Sequence, residues 1–266
     1  MATPSVRSCL LLAPILLAGL GPMAYAASPP ETAEVTLGGF VYRWPVSQLD
    51  GPDGPPPRGP VELTLLAPSM TPRMEASRPQ TGFGVQAMLQ DVPVTIESPE
   101  GITVNAMLER RLVNDDRSVV GSLERRDPRE RLELRVQQPE QWGLSPATIN
   151  EQLMDTYARD YLTRYGKSLP RSPAFEPDWY IARAANGRVG TFISCDRPHT
   201  ALPSAGGQTA GDPAANDATQ LASCIHYFID PGRKLFIQMS YQRSWLKDWK
   251  HMEDGVRALI GRYEVR

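Results

Sequence analysis

The sequence predicts an α+β fold: mainly antiparallel β-sheet, with one mid-chain helix and a C-terminal amphipathic helix. Three observations carry this expectation. Several short segments alternate apolar and polar residues with the period of a half-buried strand. They are separated by glycine- and proline-rich turns, with 26 prolines in 266 residues, a density that disfavours a helical bundle. Only two later segments show apolar residues at helical spacing.

The strand candidates begin near the N-terminus. Val35 and Leu37, then Gly38-Gly39, then Phe40, Tyr42 and Trp44 form a hairpin pattern around a turn dipeptide. Val61, Leu63 and Leu65 alternate with Glu62 and Thr64 in a further strand. Val85–Leu89 and Val92–Ile96 are short strand candidates, and Val104–Leu112 and Ser118–Leu123 are weaker ones around an Asn114-Asp115-Asp116 turn. Leu132, Leu134 and Val136 alternate again.

A helix is predicted after this. Ser145 is read as its N-cap and Pro146 as its first residue, Ile149, Leu153, Tyr157, Tyr161 and Tyr165 form a stripe, and Gly166 stops it. The tyrosines read as a core face with hydroxyls at the rim. Four strands follow, over Trp179–Ala184, Arg188–Cys195, Ser223–Ile229 and Lys234–Gln242, the last two joined by an Asp230-Pro231-Gly232-Arg233 turn. The final helix starts near Ser244. Trp245, Trp249, Met252, Val256, Leu259 or Ile260, and Tyr263 form its buried stripe. Lys247, Asp248, Lys250, Glu253, Asp254 and Arg257 are expected on its solvated face.

The first 26 residues read as a cleavable signal peptide. A single base, Arg7, precedes an apolar run over Cys9–Leu20, and Ala24-Tyr25-Ala26 is a small-x-small cleavage site. The run is short for a permanent membrane span, and Cys9 stands at its start, where lipidation would need it at the end. Cleavage would leave 240 residues, with 27 bases against 30 acids, net −3. That balance argues against nucleic-acid binding. No second apolar run reaches membrane-spanning length, so residues 27–266 are expected to form one soluble periplasmic α+β domain. A weak boundary near Gln138–Ser145 would divide it into subdomains over 27–138 and 139–266.

Removal of Cys9 leaves Cys195 and Cys224. In an exported chain such a pair reads as a disulfide, the alternative being two buried thiols. Closing a loop of about 30 residues would stabilise the fold by roughly 3–4 kcal/mol.

No residue pattern specifies chemistry. His199, His226 and His251 show no metal-ligand spacing, and no G-x-S-x-G elbow, phosphate loop or dinucleotide fingerprint occurs. Asp196, Asp212 and Asp217 lack the alternation of a calcium loop. The acid pairs Asp115-Asp116 and Glu253-Asp254 read as solvated. Arg110-Arg111 and Arg125-Arg126 read as salt-bridged strand edges rather than a polyanion groove. The expectation is therefore no catalytic residue, no cofactor and no metal.

Two stretches carry a resemblance. One is Gly39-Phe40-Val41-Tyr42-Arg43-Trp44-Pro45 with Val61 through Arg73. The other is Cys224-Ile225-His226-Tyr227-Phe228 with Tyr241 through Trp249 and Val256 through Ile260. Together they resemble exported proteobacterial proteins that include periplasmic immunity proteins of type VI secretion systems. Residues 99–172 carry no part of it. The resemblance implies a protein that binds and blocks a cognate toxin delivered into the envelope, and it transfers no active-site residue. Contact loops would be Asp50–Pro60, Pro68–Gly84 and Asp196–Thr219. Two other classes stay open: a periplasmic hydrolase built around Asp196, Arg197 and His199, and a scaffold of the envelope or secretion apparatus.

Overall fold

A computed structural model describes residues 31–50, 55–73, 89–172, 176–197 and 222–265. The segment read as a signal peptide, the Val85–Met88 part of one strand candidate, and His199, Asp212 and Asp217 lie outside them.

Among the described residues, one hairpin and one nine-stranded sheet form the fold, and every strand pairing is antiparallel. Strands β1 (Thr32–Leu37) and β2 (Phe40–Pro45) are the hairpin, as the alternation predicts. Its turn needs glycine at Gly38, where φ is 61° and a Cβ would lie 1.9 Å from the Arg233 carbonyl oxygen. The large sheet comprises β3 (Val61–Leu66), β4 (Thr71–Pro72), β5 (Asp91–Glu97), β6 (Arg135–Gln137), β7 (Ser145–Ile149), β8 (Asp178–Arg183), β9 (Val189–Cys195), β10 (Ser223–Asp230) and β11 (Leu235–Gln242). Their order is β4-β3-β5-β11-β10-β9-β8-β7-β6, so strands from both sides of the weak boundary near residue 138 share one sheet.

The helices are α1 (Val104–Glu109), α2 (Glu151–Tyr165) and α3 (Trp249–Tyr263). α1 corrects the strand expected over Val104–Leu112. Thr103 caps it by accepting from the Ala106 N–H at 3.2 Å, and Val104, Leu108 and Leu112 are buried at a spacing of four. Residues 118–123 form no strand either: Gly121 holds φ at 78° and a 3₁₀ turn follows at Leu123–Arg126. Leu132–Leu134 is likewise a 3₁₀ turn, leaving only Arg135–Gln137 in β6.

The start of α2 is a further correction. Ser145 and Pro146 belong to β7, paired with Ile181 and Tyr180, and Asn150 takes the cap by accepting from the Leu153 N–H at 3.2 Å. Ile149 pairs with Arg135 and leaves the helical stripe. Met154 and Tyr157 are buried, while Leu153, Leu162 and Tyr165 are exposed. The stop at Gly166 is observed, with φ at 67°.

The two sheet faces bury different sets. One face presents Leu63, Val94, Ile237, Met239, Phe228 and Ile193 to α3 and the hairpin. The other presents Trp179, Ile181, Phe192, Tyr227, Ile229 and Phe236 to α1. Each fully buried large side chain contributes roughly 1.5–3 kcal/mol. α3 approaches so closely that a Cβ at Gly255 would lie 2.6 Å from the Met70 Cβ. That contact explains a glycine in a helix interior, where it otherwise costs about 1 kcal/mol.

Cys195 and Cys224 are cross-strand partners in β9 and β10, 4.0 Å apart at Cα and joined by a disulfide. The bridge closes a loop with a sequence separation of 29. Reducing it, or replacing both cysteines by alanine, should lower the unfolding free energy by about 3 kcal/mol. Urea denaturation with and without dithiothreitol measures this. Coincident curves would show that the bridge does not restrain the unfolded chain.

Candidate functional site

The described residues offer one constellation that looks like acid–base machinery. It lies where α3 crosses the middle of the sheet. β10 alternation puts Cys224, His226 and Phe228 on the α3 side, β9 adds Thr191 and β11 adds Tyr241. α3 answers with Glu253, which corrects its expected place on the solvated face: it is 2% exposed, and His226 is 0% exposed. His226 Nε2 lies 3.1 Å from Glu253 Oε1, and His226 Nδ1 lies 3.1 Å from the Tyr241 hydroxyl. Thr191 donates its hydroxyl to Glu253 Oε1 at 2.5 Å, and Arg257 donates to Oε2 at 3.2 Å.

The protonation states follow from this geometry. Burial, opposed by Glu253, pushes the His226 imidazole below its ordinary 6.5. A neutral ring then carries its proton on Nε2, donated to Glu253, and accepts from Tyr241 at Nδ1. Burial alone would raise the Glu253 carboxyl. Hydrogen bonds from His226 and Thr191, with the Arg257 guanidinium, outweigh it and hold the carboxyl below its ordinary 4.5. Burial, aided by the Glu253 charge, drives the Tyr241 hydroxyl well above 10. The cluster is thus an ionised carboxylate held by three donors. A general base must reach a substrate proton, and these groups are sealed between sheet and helix. Their chemistry is architectural: they fix α3 on the sheet.

A second cluster sits at the β8–β9 end, beside the disulfide. Arg243 donates to Asp178 Oδ2 and to the Tyr180 hydroxyl, each at 2.7 Å, and to the Asp196 carbonyl at 2.6 Å. Arg197 pairs with Asp178 at 3.3 Å, while Asp196 accepts from the Ser223 hydroxyl at 2.7 Å. Asp196 and Arg197 thus join one network through Arg243 and Asp178, with the Asp196 carboxylate turned to Ser223 and the Arg197 guanidinium to Asp178. Their sequence companion His199 lies outside the described residues.

The remaining marked residues are paired or surface groups. Arg110 bridges Asp116 at 3.0 Å, Arg125 bridges Asp115 at 3.2 Å, and Arg126 bridges Asp160 at 2.8 Å. These arginines are salt-bridged as expected but sit at a helix end and in a 3₁₀ turn, not on strands. Arg111 lies 4.8 Å over the Tyr227 ring. Asp254 pairs with Lys250, and His251 is exposed. Among the described residues no group of three His, Cys, Asp or Glu is disposed to hold a metal, and no helix is long and apolar enough to cross a membrane.

What the surface does display is apolar side chains in the stretch where the sequence resemblance ends. Val119, Val120, Val136, Trp142, Leu153, Leu162 and Tyr165 are all exposed. A groove that Leu153 shares is lined also by Arg125, Arg126, Leu134, Thr156, Tyr157 and Asp160. Of the expected contact loops, only 50, 55–60, 68–73 and 196–197 are described. The sequence patterns pointed the other way: Val119 and Val120 fell in a strand assigned over 118–123, and Leu153 and Tyr165 in a stripe read as a core face, yet all four are exposed.

The described residues thus form a closed α+β core whose one reactive-looking centre is buried, with several apolar side chains left exposed. No family model matches the chain, and no curated relative does. Among solved structures it is similar to Smlt3025, an immunity protein of the Stenotrophomonas maltophilia type IV secretion system. The identity is 36% and the TM-score 0.73, over 88% of this chain and 94% of that one. The chain belongs to the family of that protein. The immunity character of the sequence resemblance agrees with this relative, whose secretion system is type IV where the resemblance pointed to type VI.

Two outcomes test the buried centre. Glu253→Ala should cost about 3 kcal/mol, because it strands donors in the core, while exposed Lys247→Ala should stay within about 0.5 kcal/mol. Urea midpoints compare them; equal effects would return Glu253 to the surface. Stability should also fall with acid. His226 and Glu253 both have folded pKa values below their unfolded ones, so the unfolded chain binds more protons as pH drops. Their contribution is complete above 6.5 and declines first through His226, then below 4.5 through Glu253. Denaturation at stepped pH checks this, and a H226Q chain should lose the upper part of the decline.

Proposed function

We propose that this chain is an immunity protein: an exported, non-enzymatic inhibitor that binds and neutralises a cognate antibacterial toxin in the periplasm. One observation carries the reading, the 36% identity to Smlt3025 across nearly the whole of both chains. The secretion system is read from that relative as type IV.

Other features support it. The first 26 residues have the order of a signal peptide. A disulfide suits an oxidising compartment. The imidazole and carboxylate that could do chemistry are committed to the core. A single folded domain over 27–266, inhibiting by occlusion, needs only a rigid frame and an exposed contact surface.

The test is competition between sibling cells. A strain lacking this gene should be killed by its toxin-delivering parent. The full-length chain should restore survival, and a chain without residues 1–26 should not. A deletion strain that survives contact with its parent would remove the immunity reading. Full protection by the leaderless chain would remove the periplasmic site of action.

A further inference from the structure

Residues 136–143 are eight consecutive exposed positions, and from Gln138 onward they form an arm beyond the β6–β7 pairing. Gln138 still donates to the Pro146 carbonyl, and Gln141 and Leu144 exchange both backbone hydrogen bonds, 2.9 and 2.8 Å long. Between them Trp142 and Gly143 have φ of 54° and 77°. Positive φ at both central residues is the signature of a tight hairpin turn that favours Asn-Gly. Trp142 occupies the asparagine position.

Tryptophan is a poor choice there on two counts. A bulky side chain in the left-handed region is strained. The indole is also 56% exposed, so it returns little burial for that strain. Asparagine would serve the turn better on both. The backbone is nevertheless held: Trp249, at the start of α3, donates its indole N–H to the Trp142 carbonyl at 2.8 Å. A strained, exposed aromatic on an anchored tip points to a role outside the fold.

We propose that Trp142 is the anchor by which this chain engages its toxin, inserting into an apolar slot of the partner. This rests on the immunity reading above. The arm's composition suits such a contact: Pro139 is apolar, exposed Val136 stands at its base in β6, Gln138 and Gln141 supply hydrogen-bonding groups, and Glu140 is the one charge. Interface centres are rich in tryptophan and poor in charge. An exposed indole that inserts into a partner needs a concave surface there, as an enzyme cleft is. The indole N–H makes no hydrogen bond within the described residues and would meet an acceptor inside that slot.

Trp142→Asn separates this role from a structural one. The variant should melt at or above the wild-type temperature, because it relieves the turn. In the sibling competition it should protect the deletion strain at least about tenfold less well than wild type at equal periplasmic level, as loss of a binding anchor does. Protection equal to wild type, with the deletion strain sensitive, overturns the anchor and leaves the immunity reading standing. A melting temperature lower by about 5 °C assigns Trp142 to the fold and also overturns it. A deletion strain that is not sensitive overturns the immunity reading and this proposal with it.

Discussion

The architecture depends on one ionised carboxylate under a helix. Glu253 is buried, and a buried carboxylate is tolerable only when its lone pairs are filled. Its donors come from three elements: His226 on β10, Thr191 on β9, and Arg257 one turn along α3. Apolar packing between α3 and the sheet is broad but non-directional. The carboxylate supplies direction. Sliding the helix by one residue would move Glu253 away from both strands and leave it unpaired in the core, so the cluster sets the register of α3.

That register propagates. With α3 fixed, Trp249 reaches the Trp142 carbonyl and anchors the arm. At the other end, Glu264 accepts from Arg233 at 2.7 Å and bridges to Tyr42, while the Tyr263 ring packs tilted against Trp44, centroids 4.8 Å apart. The hairpin β1–β2, which pairs within itself rather than with the large sheet, is thus docked through the end of the same helix. The disulfide acts on an orthogonal axis, tying β9 to β10 at the end where the chain leaves for residues 198–221.

Much of the fold was legible because its residues obey local periods. Strands β8 to β11 and the hairpin alternate cleanly, and the α3 stripe from Trp249 to Ile260 repeats at three and four. The middle was less legible for identifiable reasons. Val104, Leu108 and Leu112 fit a helix, yet valine and the run of short apolar residues also fit a strand, and the Thr103 cap decided between them. Ser145-Pro146 has the chemistry of a helix start, but pairing with Tyr180 and Ile181 recruited both residues to the sheet. Glu253 was invisible in principle. It occupies a position on α3 next to the apolar stripe, and its burial depends on donors supplied by strands distant in sequence. The exposure of Trp142 was hidden for the complementary reason, since nothing in Gln141-Trp142-Gly143-Leu144 says which way the turn faces.

Burial changes what the polar centre under α3 can do. A His–carboxylate pair backed by two hydroxyls has the composition of catalytic machinery, but catalysis requires a proton to be exchanged with a bound molecule. In this chain every acceptor of the pair is already occupied by the protein itself. The polar order is spent internally, and it makes the frame rigid. Rigidity has a use in recognition, because side chains already held in place lose little conformational freedom on binding. A helix locked by a carboxylate, holding an arm by one indole hydrogen bond, converts core electrostatics into a fixed surface geometry.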